Sequence, residues 1–125
     1  MSETVTTSQA EGWSDLAPHI VRQRLVVEAR CEEIVTAAAI IEYLQKLTHV
    51  CGMTGLMDPV VHRSDRYGWA GWVHWETSGA HIYAWDAPVV FVSVDIYTCK
   101  WFDPDAVVAF TRSFFGATDV AWREV

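Results

Sequence analysis

The sequence contains no apolar run of the ~20 residues that a membrane-spanning helix requires. Its longest apolar stretches are 37–41 and 88–92. Basic side chains are also scarce, with nine Lys and Arg against sixteen Asp and Glu and a net charge of −7. Such a charge disfavours binding to nucleic acids and anionic lipids, and the polar, acidic residues 1–12 are unlike a secretory signal peptide. We therefore expect a cytoplasmic protein that acts on neither nucleic acid nor membrane.

Cysteine is scarce too, and its count is odd: Cys31, Cys51 and Cys99 are widely spaced. A disulfide framework uses an even number of cysteines in a secreted chain, so we expect reduced thiols. Two of them should be packing residues and one should be chemically active. The chain is rich in apolar side chains, with 51% hydrophobic residues and seven Trp among 125 residues. This composition suits one compact domain.

Residues 1–17 show no hydrophobic periodicity and are predicted to be a flexible N-terminal tail, which leaves 18–125 as the folded domain. Periodicity in this domain predicts the element order β-α-β-β-β-β-α-β. The first helix should open at 32–33 and end at Gly52, and the second should start at Asp103 with Pro104 in its first turn. The predicted buried stripe of the first helix is Ile34, Ala37, Ile41, Leu44 and Thr48.

This order of elements favours an α+β two-layer sandwich, with an antiparallel or mixed sheet and two helices on one face. Segment 89–99 alternates regularly, so one side carries its valines and the other carries Phe91, Asp95, Tyr97 and Cys99. An aromatic sheet face of this size exceeds what monomers usually expose. We expect this face to be covered in a homodimer or to hold a ligand.

Ser78 and Gly79 follow a strand and are predicted to lie at a tight turn. A serine in a strained turn before glycine can attack the preceding carbonyl carbon, and elimination of the resulting ester leaves a pyruvoyl group and a cut chain. An ordinary hairpin turn explains the same residues without any chemistry. Composition and spacing leave both interpretations open.

The surrounding sequence resembles the prokaryotic S-adenosylmethionine decarboxylase family over about 18–125. That family has Gly-x-x-Gly, an apolar strand, Glu-Ser-His-(Ile)-Ser-Ile-His-Thr-Trp, an Asp-(Ile/Val)-Phe-Thr-Cys strand and a helix that begins Asp-Pro. The matching features here are His19, Gly-Trp-Ala-Gly at 68–71, Ser78, Trp85, Asp-Ile-Tyr-Thr-Cys at 95–99 and Asp-Pro at 103–104. The resemblance implies the two-layer sandwich and a homodimer.

The resemblance also implies the chemistry. Ser78 falls on the serine that becomes the pyruvoyl group, which forms a Schiff base with the substrate amine and serves as an electron sink. Cys99 falls on the cysteine that protonates the α-carbon after CO₂ leaves. The implied function is a lyase of polyamine biosynthesis, formed by autocatalytic cleavage between Thr77 and Ser78. Its substrate would be S-adenosylmethionine or a related amino acid such as ornithine or arginine.

Four positions around Ser78 depart from the family pattern. Thr77 replaces the glutamate, Gly79 the histidine that follows the serine, His81 the second serine, and Tyr83 the histidine that assists processing. A phenol is a poor base near neutral pH. We therefore take His81 as the candidate base and Tyr83 as a candidate acid.

The acidic and aromatic residues near these motifs suit a cationic substrate with an adenine ring, through charge attraction and cation–π contact. The predicted substrate-binding residues are Glu76, Asp95, Trp75 and Tyr97. The His and Cys spacings give no strong metal motif, so no metal is expected. Arg24 is expected to be a solvent-facing charge on the first strand.

Two alternatives stay open. One is an unprocessed family member that binds S-adenosylmethionine and catalyses a lyase, cyclisation or alkyl-transfer reaction at the sulfonium. The other is an inactive partner subunit that assembles with an active relative through the aromatic sheet face.

Overall fold

The computed structural model describes residues 12–125, so the first eleven residues of the predicted tail lie outside the described part. Two helices and six strands follow in the predicted order. Their bounds are β1 Gln23–Arg30, α1 Ala37–Val50, β2 Val60–Ser64, β3 Gly68–Trp75, β4 Ser78–Trp85, β5 Phe91–Thr98, α2 Pro104–Phe115 and β6 Asp119–Glu124. Within residues 12–125 no helix is long and apolar enough to cross a membrane.

The six strands form one sheet in the order β2-β3-β4-β5-β1-β6, and every neighbouring pair is antiparallel. Both helices contact each other and the sheet, α1 against β2 and β3, and α2 against β1 and β6. The predicted α+β sandwich is therefore confirmed. The sheet face opposite the helices, called the open face below, has no second layer within the described chain.

The core lies between the helices and the sheet. Along β5, Val92, Val94 and Ile96 are fully buried, in agreement with the predicted alternation. From α1, the buried Tyr43 ring packs against Phe110 and other rings of α2, and its hydroxyl hydrogen-bonds with the Thr111 hydroxyl at 2.8 Å. Burial of this kind is the main stabilising term of the fold.

The prediction for the first helix was partly wrong. The helix begins at Ala37 because the Thr36 side chain caps it by accepting a hydrogen bond from the Ala39 N–H. Ile34 lies before the helix and is exposed. The apolar run at 37–41 is compatible with two overlapping buried stripes. The contact between Tyr43 and α2 favours the stripe that was not predicted. The buried residues are Ile40, Tyr43, Leu44 and Leu47.

Of two other local predictions, one agrees with the structure and one does not. The second helix has Asp103 as its N-cap, Pro104 in its first turn and the left-handed Gly116 as its C-cap, as predicted. The predicted turn at Ser78 and Gly79 is wrong. The turn between β3 and β4 consists of residues 76–77, and Ser78 and Gly79 are the first two residues of β4.

Candidate functional site

Side chains on the open face form rows across the strands. One row contains Arg24, Tyr97, Gly79 and His74, and the next contains Asp95, His81 and Trp72. Neighbours within a row are about 4.5–5.5 Å apart at Cα. Because Gly79 has no side chain, the first row has a gap between Tyr97 and His74.

A cavity of about 410 Å³ occupies this region. Its charged and polar lining includes Arg24, His74, Ser78, His81 and Asp95. Trp72 and Tyr97 contribute aromatic walls. The cavity therefore combines one fixed positive charge, one carboxylate, two imidazoles and a hydroxyl.

Ser78 has an unusual backbone conformation, with a φ of 130°. A non-glycine residue in this region carries strain of order 1–3 kcal/mol. Regular alternation would place Ser78 on the core face with Ala80 and Ile82, whereas this conformation lets its side chain line the open-face cavity. Around N–Cα, Cβ stands about 120° from the residue's own carbonyl carbon, so the Ser78 Cβ nearly eclipses the Thr77 carbonyl carbon. This conformation thus carries the Ser78 Cβ toward the Thr77–Ser78 peptide bond.

Cys99 contacts both sides of this bond. Its backbone N–H donates to the Thr77 carbonyl oxygen at 2.9 Å. Its Sγ lies 3.4 Å from the Ser78 Oγ, a separation that permits a hydrogen bond in either direction. A fixed N–H at a carbonyl oxygen stabilises negative charge that develops there when the carbon is attacked. The structure therefore brings together the serine, the carbonyl and the thiol that the sequence singled out.

The turn before Ser78 is held by the 53–54 segment. The Glu76 N–H donates to the Thr54 carbonyl oxygen at 2.9 Å, and the Thr77 hydroxyl donates to the Met53 sulfur at 3.1 Å. These contacts reduce the freedom of the turn to relax its strain. Glu76 itself is exposed and is not among the residues that line the cavity.

The three cysteines differ in environment. Cys31 and Cys51 are buried, and Cys99 is exposed. Burial raises the pKa of both core thiols, that of Cys51 to about 12. Since the thiolate is the reactive form, these two cysteines are inert at neutral pH. Among residues 12–125 no group of three or more potential ligands could hold a metal ion.

The position of Trp75 does not fit its predicted role in substrate binding. Its side chain is fully buried on the core face, and its indole Nε1–H donates to the Thr48 hydroxyl at 2.8 Å. The open-face tryptophan of this strand is Trp72, which is 38% exposed. Both residues obey the same alternation, and the prediction chose the tryptophan on the wrong face.

Tyr83 is on the open face but far from the serine in its own chain. It lies five residues along β4 from Ser78, which corresponds to about 16 Å in an extended strand. Its ring stacks on His81 at a centroid distance of 6.1 Å. His81 also stacks against Trp72, at a centroid distance of 5.9 Å. The structure therefore does not bring Tyr83 to the Ser78 of the same protomer.

Sequence reasoning missed three cavity residues: Arg24, Trp72 and His74. The Arg24 guanidinium lies 4.6 Å from the centroid of the Tyr97 ring, in a cation–π contact that directs it over the cavity. Its position on alternating strand β1 could have shown that it shares a face with Tyr97. Recognising the neighbour across the sheet required the strand order, which the sequence did not provide.

Steric crowding explains why position 79 is a glycine. A Cβ built there would lie 2.5 Å from the Val73 carbonyl oxygen, a backbone atom. No side chain fits without a shift of β3 or β4. The family's histidine at this position is therefore incompatible with the present backbone.

The S-adenosylmethionine decarboxylase family model matches residues 23–125. The fold is similar to that of the adenosylmethionine decarboxylase from Aquifex aeolicus, with a TM-score of 0.68 and 16% identity over 85% of this chain and 89% of that one. No curated protein sequence matches the chain. The family match covers most of the sequence, and it agrees with the motifs around Ser78 and Cys99. The chain belongs to the S-adenosylmethionine decarboxylase family.

Proposed function

We propose that the protein is a pyruvoyl-dependent decarboxylase whose pyruvoyl group is made from its own Ser78. The observation that carries this proposal is the arrangement at one peptide bond. The φ of Ser78 brings its Cβ close to the Thr77 carbonyl carbon, and the Cys99 N–H holds the oxygen of that carbonyl. A nucleophile beside the carbonyl carbon and a donor at its oxygen are two of the features that an acyl shift from nitrogen to oxygen requires.

The cleavage begins when the Ser78 Oγ attacks the Thr77 carbonyl carbon. Negative charge develops on the carbonyl oxygen, where the Cys99 N–H stabilises it. Loss of the peptide bond also releases the backbone strain at Ser78, because the new terminus is no longer held at a φ of 130°.

The residues around position 78 fit a pyruvoyl group. When present, such a group supplies a carbonyl that takes up the substrate amine and accepts electrons as CO₂ leaves. The Cys99 thiol lies next to residue 78 and serves as the proton donor to the α-carbon. Asp95 and Tyr97 line the same cavity and suit a cationic group through charge and cation–π attraction.

The proposed substrate is S-adenosylmethionine or a related amino acid such as ornithine or arginine. The proposed pathway is polyamine biosynthesis, and the proposed location is the cytoplasm. The proposed assembly is a homodimer that covers the open face. Trp72 and Tyr83 are 38% and 44% exposed and belong to a series of rings in contact. The rings are stacked from Trp72 to Tyr83, and tilted contacts continue to Trp85 on β4 and Phe91 on β5. Burial of such a surface against a second copy would stabilise the pair.

The activity is tested by release of labelled CO₂ from carboxyl-labelled S-adenosylmethionine, ornithine and arginine. We expect release from at least one of them by the wild-type protein and none by Ser78→Ala. Borohydride reduction, which destroys a reactive carbonyl, should abolish the activity. Equal release before and after reduction would contradict the proposal.

Cleavage should not separate the two pieces. Residues before the cut supply β1, β2 and β3, and residues after it supply β4, β5 and β6, so the sheet order interleaves the pieces at three strand pairs. We expect one species by size exclusion in native buffer and two bands on a denaturing gel. Elution of a free fragment in native buffer would contradict this topology.

One observation favours a second candidate function, in which the intact chain binds S-adenosylmethionine and catalyses a different reaction at the sulfonium. Arg24 lines the cavity and can hold an amino-acid carboxylate. A cation that stabilises the substrate carboxylate disfavours its loss, because only interactions stronger in the transition state accelerate a reaction.

The role of Arg24 can be measured by calorimetric titration of uncleaved Ser78→Ala protein with S-adenosylmethionine. Loss of one charge-assisted hydrogen bond costs about 1.5 kcal/mol or more, so adding Arg24→Gln should weaken binding by about tenfold. Arg30→Gln is the matched control, since Arg30 is on the same strand but pairs with Asp119. Equal affinity of the Arg24 and Arg30 variants would remove Arg24 from the binding site.

A further inference from the structure

A second feature of the cavity is a histidine that the family resemblance does not explain. His74 falls in the segment between Gly-x-x-Gly and the serine, where the family has an apolar strand. In this chain β3 alternates, and His74 is exposed on the open face between the buried Val73 and Trp75. It lines the same cavity as Ser78.

We propose that His74 is the acid–base residue that moves the Ser78 proton during chain cleavage; this inference rests on the proposed function. His74 pairs with Gly79 across the β3–β4 hairpin, so its Cα is about 4.5–5.5 Å from the residue next to Ser78. Gly79 has no side chain to separate the imidazole from the serine. The absence of that side chain thus opens the path that the acid–base reaction requires.

The two other candidates on the open face are less well placed. His81 is three residues along β4 from Ser78, or about 10 Å in an extended strand, and its ring stacks against those of Trp72 and Tyr83. Tyr83 is farther still, at about 16 Å along the strand. Among these three, His74 has the shortest backbone separation from Ser78.

One imidazole can both accept and return the proton that moves during the acyl shift. His74 accepts the hydroxyl proton as the bond from Oγ to the Thr77 carbon forms, and it returns a proton to the Ser78 nitrogen as the carbon–nitrogen bond breaks. The product is an ester with a free amine. Loss of the Ser78 α-proton then breaks the Cβ–Oγ bond and releases the Thr77 carboxylate. The resulting enamine takes up a proton at Cβ to become an imine, and water then adds to the imine carbon and expels ammonia, which leaves a carbonyl at residue 78.

The test follows the conversion of newly synthesised full-length chain into two fragments by intact mass, in a cell-free reaction. Positioned acid–base groups contribute about 10²–10⁴-fold to a rate, so His74→Ala and His74→Gln should cleave at least about 100-fold more slowly than wild type. Added imidazole should restore part of the rate to His74→Ala, where space is left for it. Both variants should unfold at the wild-type temperature because His74 is exposed.

His62→Ala is the matched control, since His62 is exposed on neighbouring strand β2 and lies outside the Ser78 cavity; it should cleave at the wild-type rate. Wild-type cleavage in His74→Ala, or slow cleavage in His81→Ala alone, would overturn the assignment. Slow cleavage of His74→Ala without rescue by imidazole would indicate a structural role for His74 and would also overturn the assignment. A wild-type chain that never cleaves contradicts the proposed function itself, which separates the two failures.

Discussion

Ser78→Ala is expected to remain a single chain of 125 residues under conditions in which the wild type is cut. The substitution removes the hydroxyl that attacks the Thr77 carbonyl carbon in the proposed reaction and keeps the Cβ of residue 78. The Cys99 N–H can still hold the carbonyl oxygen, but a stabilised oxygen without a nucleophile gives no reaction. We expect loss of cleavage and of CO₂ release to below detection, measured by denaturing gel and by labelled substrate.

The matched control is Ser93→Ala. Ser93 is also on the open face, where its hydroxyl donates to Glu28 at 2.9 Å, and it lies far along β5 from the cut. This variant should cleave like the wild type. A Ser78→Ala chain that still yields fragments would show that another residue or a contaminating protease cuts the chain.

Trp75→Ala is expected to destabilise the fold by about 3–5 kcal/mol, as measured by urea unfolding. The side chain is among the largest that are fully buried, and its removal leaves a cavity beneath the β3–β4 hairpin. It also deprives the Thr48 hydroxyl of its indole donor. A domain of this size has a total stability of about 5–15 kcal/mol, so much of the protein could unfold at growth temperature.

The comparison variant is Trp72→Ala, on the same strand but the opposite face. Since Trp72 is 38% exposed within one chain, its loss should lower the stability of that chain by under about 1 kcal/mol, dimer contacts aside, while weakening ligand binding in the cavity. If both variants lost equal stability, or if Trp75→Ala weakened binding without unfolding the chain, the placement of the two faces would be incorrect.

The sequence predicted element types and order better than boundaries. The alternation along β5 and the cap at Asp103 are local signals, and both agree with the structure. The start of α1 and the hairpin turn depend on tertiary contacts, because Tyr43 needs α2 to define the buried helix face and Ser78 needs β5 to be drawn into the sheet. Local periodicity contains neither kind of information.

The candidate site shows the same division. The resemblance to the family identified Ser78 and Cys99, which the structure places in contact. Arg24 and His74 were not identified, because they reach the cavity from strands whose order in the sheet is set by long-range pairing. Trp75 was chosen as an aromatic residue close to the serine motif, whereas strand alternation places it on the core face.

The mass of the purified wild-type protein tests the central claim most directly. The account predicts two polypeptides of 77 and 48 residues, the second lighter by one ammonia than a fragment beginning with an unmodified serine. One mass for the uncut chain after prolonged incubation would contradict it. So would a second fragment that keeps the serine mass, since simple hydrolysis leaves no carbonyl for decarboxylation.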